Sequence, residues 1–126
     1  MEYKFRGWDA VGEKGWVYGD LKHDKKVNMH EPYLTDRVMV GGYEVFPDSV
    51  VLWTGLKDMQ GKEIYDGDIV SVFYEGKHIF DATVVWIERW AGFYMDEGEG
   101  SYSPIPKDNV KVIGNVYEQG VKDKRE

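Results

Sequence analysis

Short runs rich in Val, Ile, Tyr, Phe and Trp alternate with glycine-containing breaks along the whole chain. Many short strands joined by tight turns produce that pattern. It predicts strands near residues 3–6, 16–21, 38–40, 43–46, 50–53, 68–74, 79–88, 93–95 and 110–117. Gly41-Gly42 can take positive φ at both central positions of a two-residue hairpin, which side chains with a Cβ resist. Glu75-Gly76-Lys77 offers one glycine for a hairpin loop, and Asp58-Met59-Gln60-Gly61 ends on the glycine that a turn commonly wants. No stretch of a dozen residues carries apolar positions at helical spacing without an interrupting Gly or Pro, so no helix is predicted. Residues 20–36 and 96–109 read as irregular.

The alternation fades within 79–88, where Val84, Val85, Trp86 and Ile87 are apolar on both faces. A strand covered on both sides gives that pattern. The expectation is one all-β domain spanning residues 1–126, a small barrel with extra strands. Residues 119–126 are charged, lack an apolar pattern and read as a flexible tail.

At 126 residues with 42% hydrophobic and 15% aromatic positions, the chain can bury one core and is not disordered. No cysteine is present, which excludes a disulfide framework and thiolate chemistry. No apolar run approaches the ~20 residues of a membrane span, and Met1-Glu2-Tyr3-Lys4 does not open a signal peptide. The expected location is the cytoplasm. The net charge is −7, and residues 63–126 carry 7 basic against 13 acidic side chains. Phosphate-backbone binding needs cations, so nucleic acid and anionic membranes are disfavoured partners.

Candidate chemistry is sparse. His23 and His30 are spaced like neither a helical nor a strand ligand pair. Asp96-Glu97-Gly98-Glu99-Gly100 has the composition of a calcium loop without its ligand spacing. Asp66 and Asp68 could serve as acid and base only if one were desolvated, and carboxylates in glycine turns are normally wet. No nucleophile elbow, phosphate loop or dinucleotide fingerprint occurs. These readings lead to no catalytic residue, no metal site and no cofactor. Aromatic residues are in surplus, with 5 Trp, 9 Tyr and 5 Phe. Trp90, Phe93 and Tyr94 surround Ala91-Gly92 at a predicted hairpin tip, where burial is difficult and contact with a partner is expected.

Three blocks carry a resemblance. Lys4-Phe5-Arg6-Gly7-Trp8-Asp9 opens the chain. Trp53-Thr54-Gly55-Leu56-Lys57-Asp58 and Gly61-Lys62-Glu63-Ile64-Tyr65-Asp66-Gly67-Asp68-Ile69-Val70 form the middle, and Val112-Ile113-Gly114-Asn115-Val116-Tyr117-Glu118 the end. Together they resemble the YopX proteins of bacteriophages and prophages of Gram-positive bacteria. Gly7 stands where that family usually has Ala, Trp53 where it has Tyr, and Asp66 where it has Glu. The resemblance implies a mostly-β fold whose second half is an SH3-type barrel, and it implies no reaction. The two turns of the middle block lie about ten residues apart, as if holding a defined chain crossing; a charged lip at Asp66 and Asp68 is the alternative reading.

The expected function is a non-catalytic phage accessory protein that binds a host or phage protein, with self-association as one form of that binding. A single-stranded nucleic-acid-binding barrel, using its aromatics as stacking platforms, is the alternative. An enzyme built on scattered carboxylates has no supporting motif.

Overall fold

The computed structural model describes residues 3–27 and 34–125, with side chains described as far as Gly120. His30 lies outside the described residues, so the His23–His30 spacing is not tested. The chain forms two compact units, residues 1–52 and 53–126.

In the first unit, β1 (Phe5–Trp8) pairs with β2 (Trp16–Gly19) on one side and with the start of β6 (Val51–Lys57) on the other. A second sheet runs β3 (Leu21–Val27), β4 (Leu34–Val40), β5 (Tyr43–Val45). Val17, Val40 and Val45 are its buried core, with Phe5, Leu21, Val38 and Val50 packed around them. Gly41 and Gly42 connect β4 to β5 with φ of +59° and +86°, the double positive φ of a primed hairpin turn. Only glycine fits at Gly41, because a Cβ there would stand 2.2 Å from the Tyr18 carbonyl oxygen.

Residues 20–36 are therefore not irregular where they are described: β3 and β4 pair along seven registered residues. Lys25 faces Asp36 at 2.7 Å, Arg37 pairs with Asp24, and Lys26 reaches Glu44 at 2.9 Å. Opposite charges across an antiparallel ladder support pairing without apolar alternation.

In the second unit, five strands form one sheet ordered β11-β10-β9-β8-β12: β8 (Asp68–Tyr74), β9 (Lys77–Ile87), β10 (Gly92–Gly98), β11 (Ser101–Ser103) and β12 (Val110–Asn115). Its buried face carries Val70, Val72, Ala82, Val84, Met95, Val110 and Val112. Ile64 from β7 (Glu63–Tyr65), Leu56 and Ile105 pack over it. The later part of β6 pairs with β7. Glu75-Gly76 and Glu99-Gly100 are further two-residue loops with positive φ at both positions.

The fold is mostly β, as expected, with two corrections. The five-stranded sheet does not close into a barrel: β11 and β12 are its edges and no described pairing joins them. A helix, α1 (Val116–Arg125), follows β12 where the sequence predicted a strand and then a tail. Asn115 starts it by accepting the N–H of Glu118 on its Oδ1 at 2.8 Å, as an N-cap residue does. The segment 96–109 is likewise more regular than expected, because β10 continues to Gly98 and turns into β11.

Candidate functional site

The middle and end sequence blocks meet in the second unit. Asp58 is buried, and its Oδ1 accepts the N–H groups of Gln60 at 2.8 Å and Lys62 at 2.9 Å. Its Oδ2 accepts the N–H of Val112 at 2.9 Å, while the Met59 N–H donates to the Val110 carbonyl at 3.0 Å. The turn thus satisfies the edge of β12 that β8 leaves open, a job another strand would otherwise do. At the second turn Gly67 donates to the Val84 carbonyl and accepts the Val116 N–H at 2.9 Å. Its φ is +86°, and a Cβ would stand 3.3 Å from Val116 Cγ2. Asp68 is fully buried and accepts the Tyr65 N–H at 2.7 Å, and Asp66 is half-buried. The chain crossing read from the sequence is present. Asp68 is occupied inside it and cannot form a lip for a ligand.

The aromatic tip lies elsewhere on the same sheet. β9 and β10 are joined by Glu88-Arg89-Trp90-Ala91, with Ile87 opposite Gly92. Glu88–Trp90 make one 3₁₀ turn and Ala91 takes a left-handed φ of 48°. That geometry leaves Trp90 46% exposed, and Trp86 is 48% exposed. Trp90 packs edge-on against Tyr94 at 5.0 Å and Tyr102 at 6.0 Å, and Trp86 against Phe93 at 5.2 Å. The Arg89 guanidinium lies 4.8 Å from the Trp90 ring centre. Trp86, Ile87, Glu88, Arg89 and Tyr102 line one open depression.

Of the residues singled out from sequence, the structure thus gathers Trp90 and Tyr94 into one cluster. Phe93 is half-buried against the core and supports Trp86 from beneath. Sequence reasoning missed Trp86 and Tyr102. Trp86 lies in an apolar run that reads as buried, and Tyr102 in a stretch that reads as loop; the Asp96–Tyr102 register brings Tyr102 beside β10.

A polar group was also missed. Ser71 Oγ donates to Asp81 Oδ1 at 2.6 Å, and His78 Nε2 meets the same oxygen at 2.7 Å. The Ser71 hydroxyl, then the His78 ring, hold the Asp81 carboxyl below the usual carboxylate range. Nucleophilic catalysis needs the hydroxyl bonded to a base that can take its proton, and here serine and histidine both spend their bonds on one carboxylate oxygen. The arrangement is a surface pair, with about half of each of the His78 and Asp81 side chains exposed. Among the described residues no group of three His, Cys, Asp or Glu side chains is placed to hold a metal ion. Asp96 and Glu97 instead bond locally, to the Gly98 N–H at 2.8 Å and to Ser103 Oγ at 2.5 Å. Among the described residues no helix is long and apolar enough to cross a membrane.

A family model described as YopX protein matches residues 4–121, nearly the whole chain. The crystal structure of protein EF1440 from Enterococcus faecalis is similar, with a TM-score of 0.54 and 20% identity. The match covers 95% of this chain and 96% of that one, and at this identity it speaks to the fold. No curated protein matches the chain.

Proposed function

The chain belongs to the YopX protein family, and from that premise we propose that it is a phage or prophage accessory protein acting in the host cytoplasm as a non-catalytic protein-interaction module. One observation carries this reading: two tryptophans, each nearly half exposed, flank the β9–β10 hairpin tip instead of joining the core. Fully burying a large aromatic is worth roughly 2–3 kcal/mol, so leaving nearly half of each ring in water forgoes part of that unless a partner covers it. Tryptophan, tyrosine and arginine are also the residues that dominate protein–protein contacts.

The scaffold fits the role. The order of the five-stranded sheet, with its last strand β12 beside its first, β8, and a 3₁₀ turn (Lys107–Asn109) preceding β12, supports an SH3-type arrangement for the second unit. Such small β frameworks present loops rigidly, although fold alone does not assign function. The nucleic-acid alternative has Arg89 and the two tryptophans in its favour, and the acidic second half against it.

The test is capture of partner protein from host lysate by wild type and by a Trp86→Ala/Trp90→Ala variant. A partner held by the wild type and lost from the folded variant supports the reading. Equal capture by both places the contact elsewhere and defeats it.

A further inference from the structure

We infer that the β9–β10 tip docks on a second copy of the same chain, tip to tip about a two-fold axis, with Glu88 of each copy against Arg89 of the other. This rests on the interaction reading above and names its partner.

Charge favours a second copy at this tip. Residues 63–126 carry 7 basic and 13 acidic side chains, so most of this half repels a copy of itself. The tip is the exception: between residues 82 and 95 the charged side chains are Glu88 and Arg89, one of each sign. Both are exposed, and among the described residues neither makes an ion pair. Arg89 rests instead on the face of Trp90.

Symmetry favours the same partner. A two-fold contact brings a surface against itself, so it must be self-complementary. Adjacent side chains of opposite sign satisfy this directly, because rotation sets each acid against the other copy's base and forms two pairs. A foreign basic ligand would be served better by an all-acidic tip, and an acidic one by an all-basic tip.

The pairs would also frame an apolar surface. Trp86 and Tyr102 line one depression with Glu88 and Arg89, and Trp90 packs edge-on against Tyr102 at 6.0 Å beside it. Centrally buried aromatics ringed by polar groups are how compact interfaces concentrate their affinity.

The experiment measures mass by light scattering across a concentration series for wild type, Glu88→Arg, Arg89→Glu, and an equimolar mixture of the two variants. Wild type is expected to rise from 14.6 kDa toward twice that mass. Each variant sets like charges against each other and should need at least about tenfold higher concentration to associate. The mixture restores both opposite-charge pairs and should return to within about threefold of wild type, which no misfolded variant could do. A wild type constant at 14.6 kDa, reversal variants that associate like wild type, or a mixture that stays monomeric would each overturn the inference. A monomeric wild type that still captures another protein through Trp86 and Trp90 overturns self-docking alone. Loss of both overturns the interaction reading as well.

Discussion

The Asp58 carboxylate accepts the backbone N–H of Val112, 54 residues further along the chain, at 2.9 Å. With its other oxygen it holds its own turn through Gln60 and Lys62. One side chain therefore shapes a loop and pins that loop to a sheet edge. Replacing Asp58 by Ala leaves three N–H groups without their acceptor, one of them buried. The expected loss is about 3 kcal/mol of unfolding free energy in urea. Asp58→Asn keeps one acceptor oxygen and should lose about 1 kcal/mol. Equal, small losses would show that the clasp is not what secures β12.

Gly67→Val should damage the fold more than Gly98→Val. Both glycines have positive φ, +86° and +95°, so each substitution carries a left-handed strain of about 1–2 kcal/mol. Open space surrounds Gly98, whereas a Cβ at Gly67 meets Val116 at 3.3 Å in the turn that bonds to β9 and to the start of α1. That crowding should add at least about 1 kcal/mol. Thermal melting of the two variants compares them, with the lower melting temperature expected for Gly67→Val.

Gly7 is held to glycine by its neighbour Val45. A Cβ at Gly7 would lie 2.8–2.9 Å from three carbons of the buried Val45 side chain. Gly7→Ala alone should cost about 1–3 kcal/mol. Combined with Val45→Ala, the total should fall below the sum of the two single losses by at least about 1 kcal/mol, because the new methyl enters the space the valine leaves. A double-mutant cycle in urea measures that difference, and strict additivity would contradict it.

Acid should loosen the first unit through Asp9. Its carboxylate accepts the N–H groups of Gly12 and Val11 at 3.1 Å and of Lys14 at 3.4 Å. These bonds, Gly12 first, hold its pKa below the ordinary 3.8. A carboxyl depressed in the folded state stabilises the fold above 3.8, and that contribution disappears as pH falls through the lower folded value. Asp9→Asn has no such dependence. Unfolding at pH 7, 5 and 3 should show wild type losing more stability than Asp9→Asn across the lowest interval.

The parts of this fold that were legible in sequence are those where one residue type dictates one backbone. Gly41-Gly42 marked its hairpin because both positions need positive φ, and the two turns of the middle block marked a crossing because Gly61, three residues after Asp58, and Gly67, between Asp66 and Asp68, favour such turns. The β3–β4 ladder was not legible, since Lys25–Asp36 and Asp24–Arg37 pair by charge and leave no apolar alternation to read. Nor was α1: Val116 and Tyr117 continue the β-like composition of β12, and the signal was Asn115 with Glu118 three residues on, a capping pattern. Barrel closure failed as an expectation because it concerns pairing between strands far apart in sequence, which local pattern does not encode. At the candidate site, Trp90 was visible from its place at a turn. Trp86 was not, because exposure at the end of a long strand depends on where the covering residues stop.

The most direct test is amide hydrogen exchange across residues 53–118, recorded at low and high protein concentration and with any captured partner bound. The account predicts slower exchange confined to the tip, residues 86–92, and to the neighbourhood of Tyr102, with the Asp58–Val112 clasp equally protected throughout. Protection that appears at the clasp or along β12 while the tip is unchanged would contradict it.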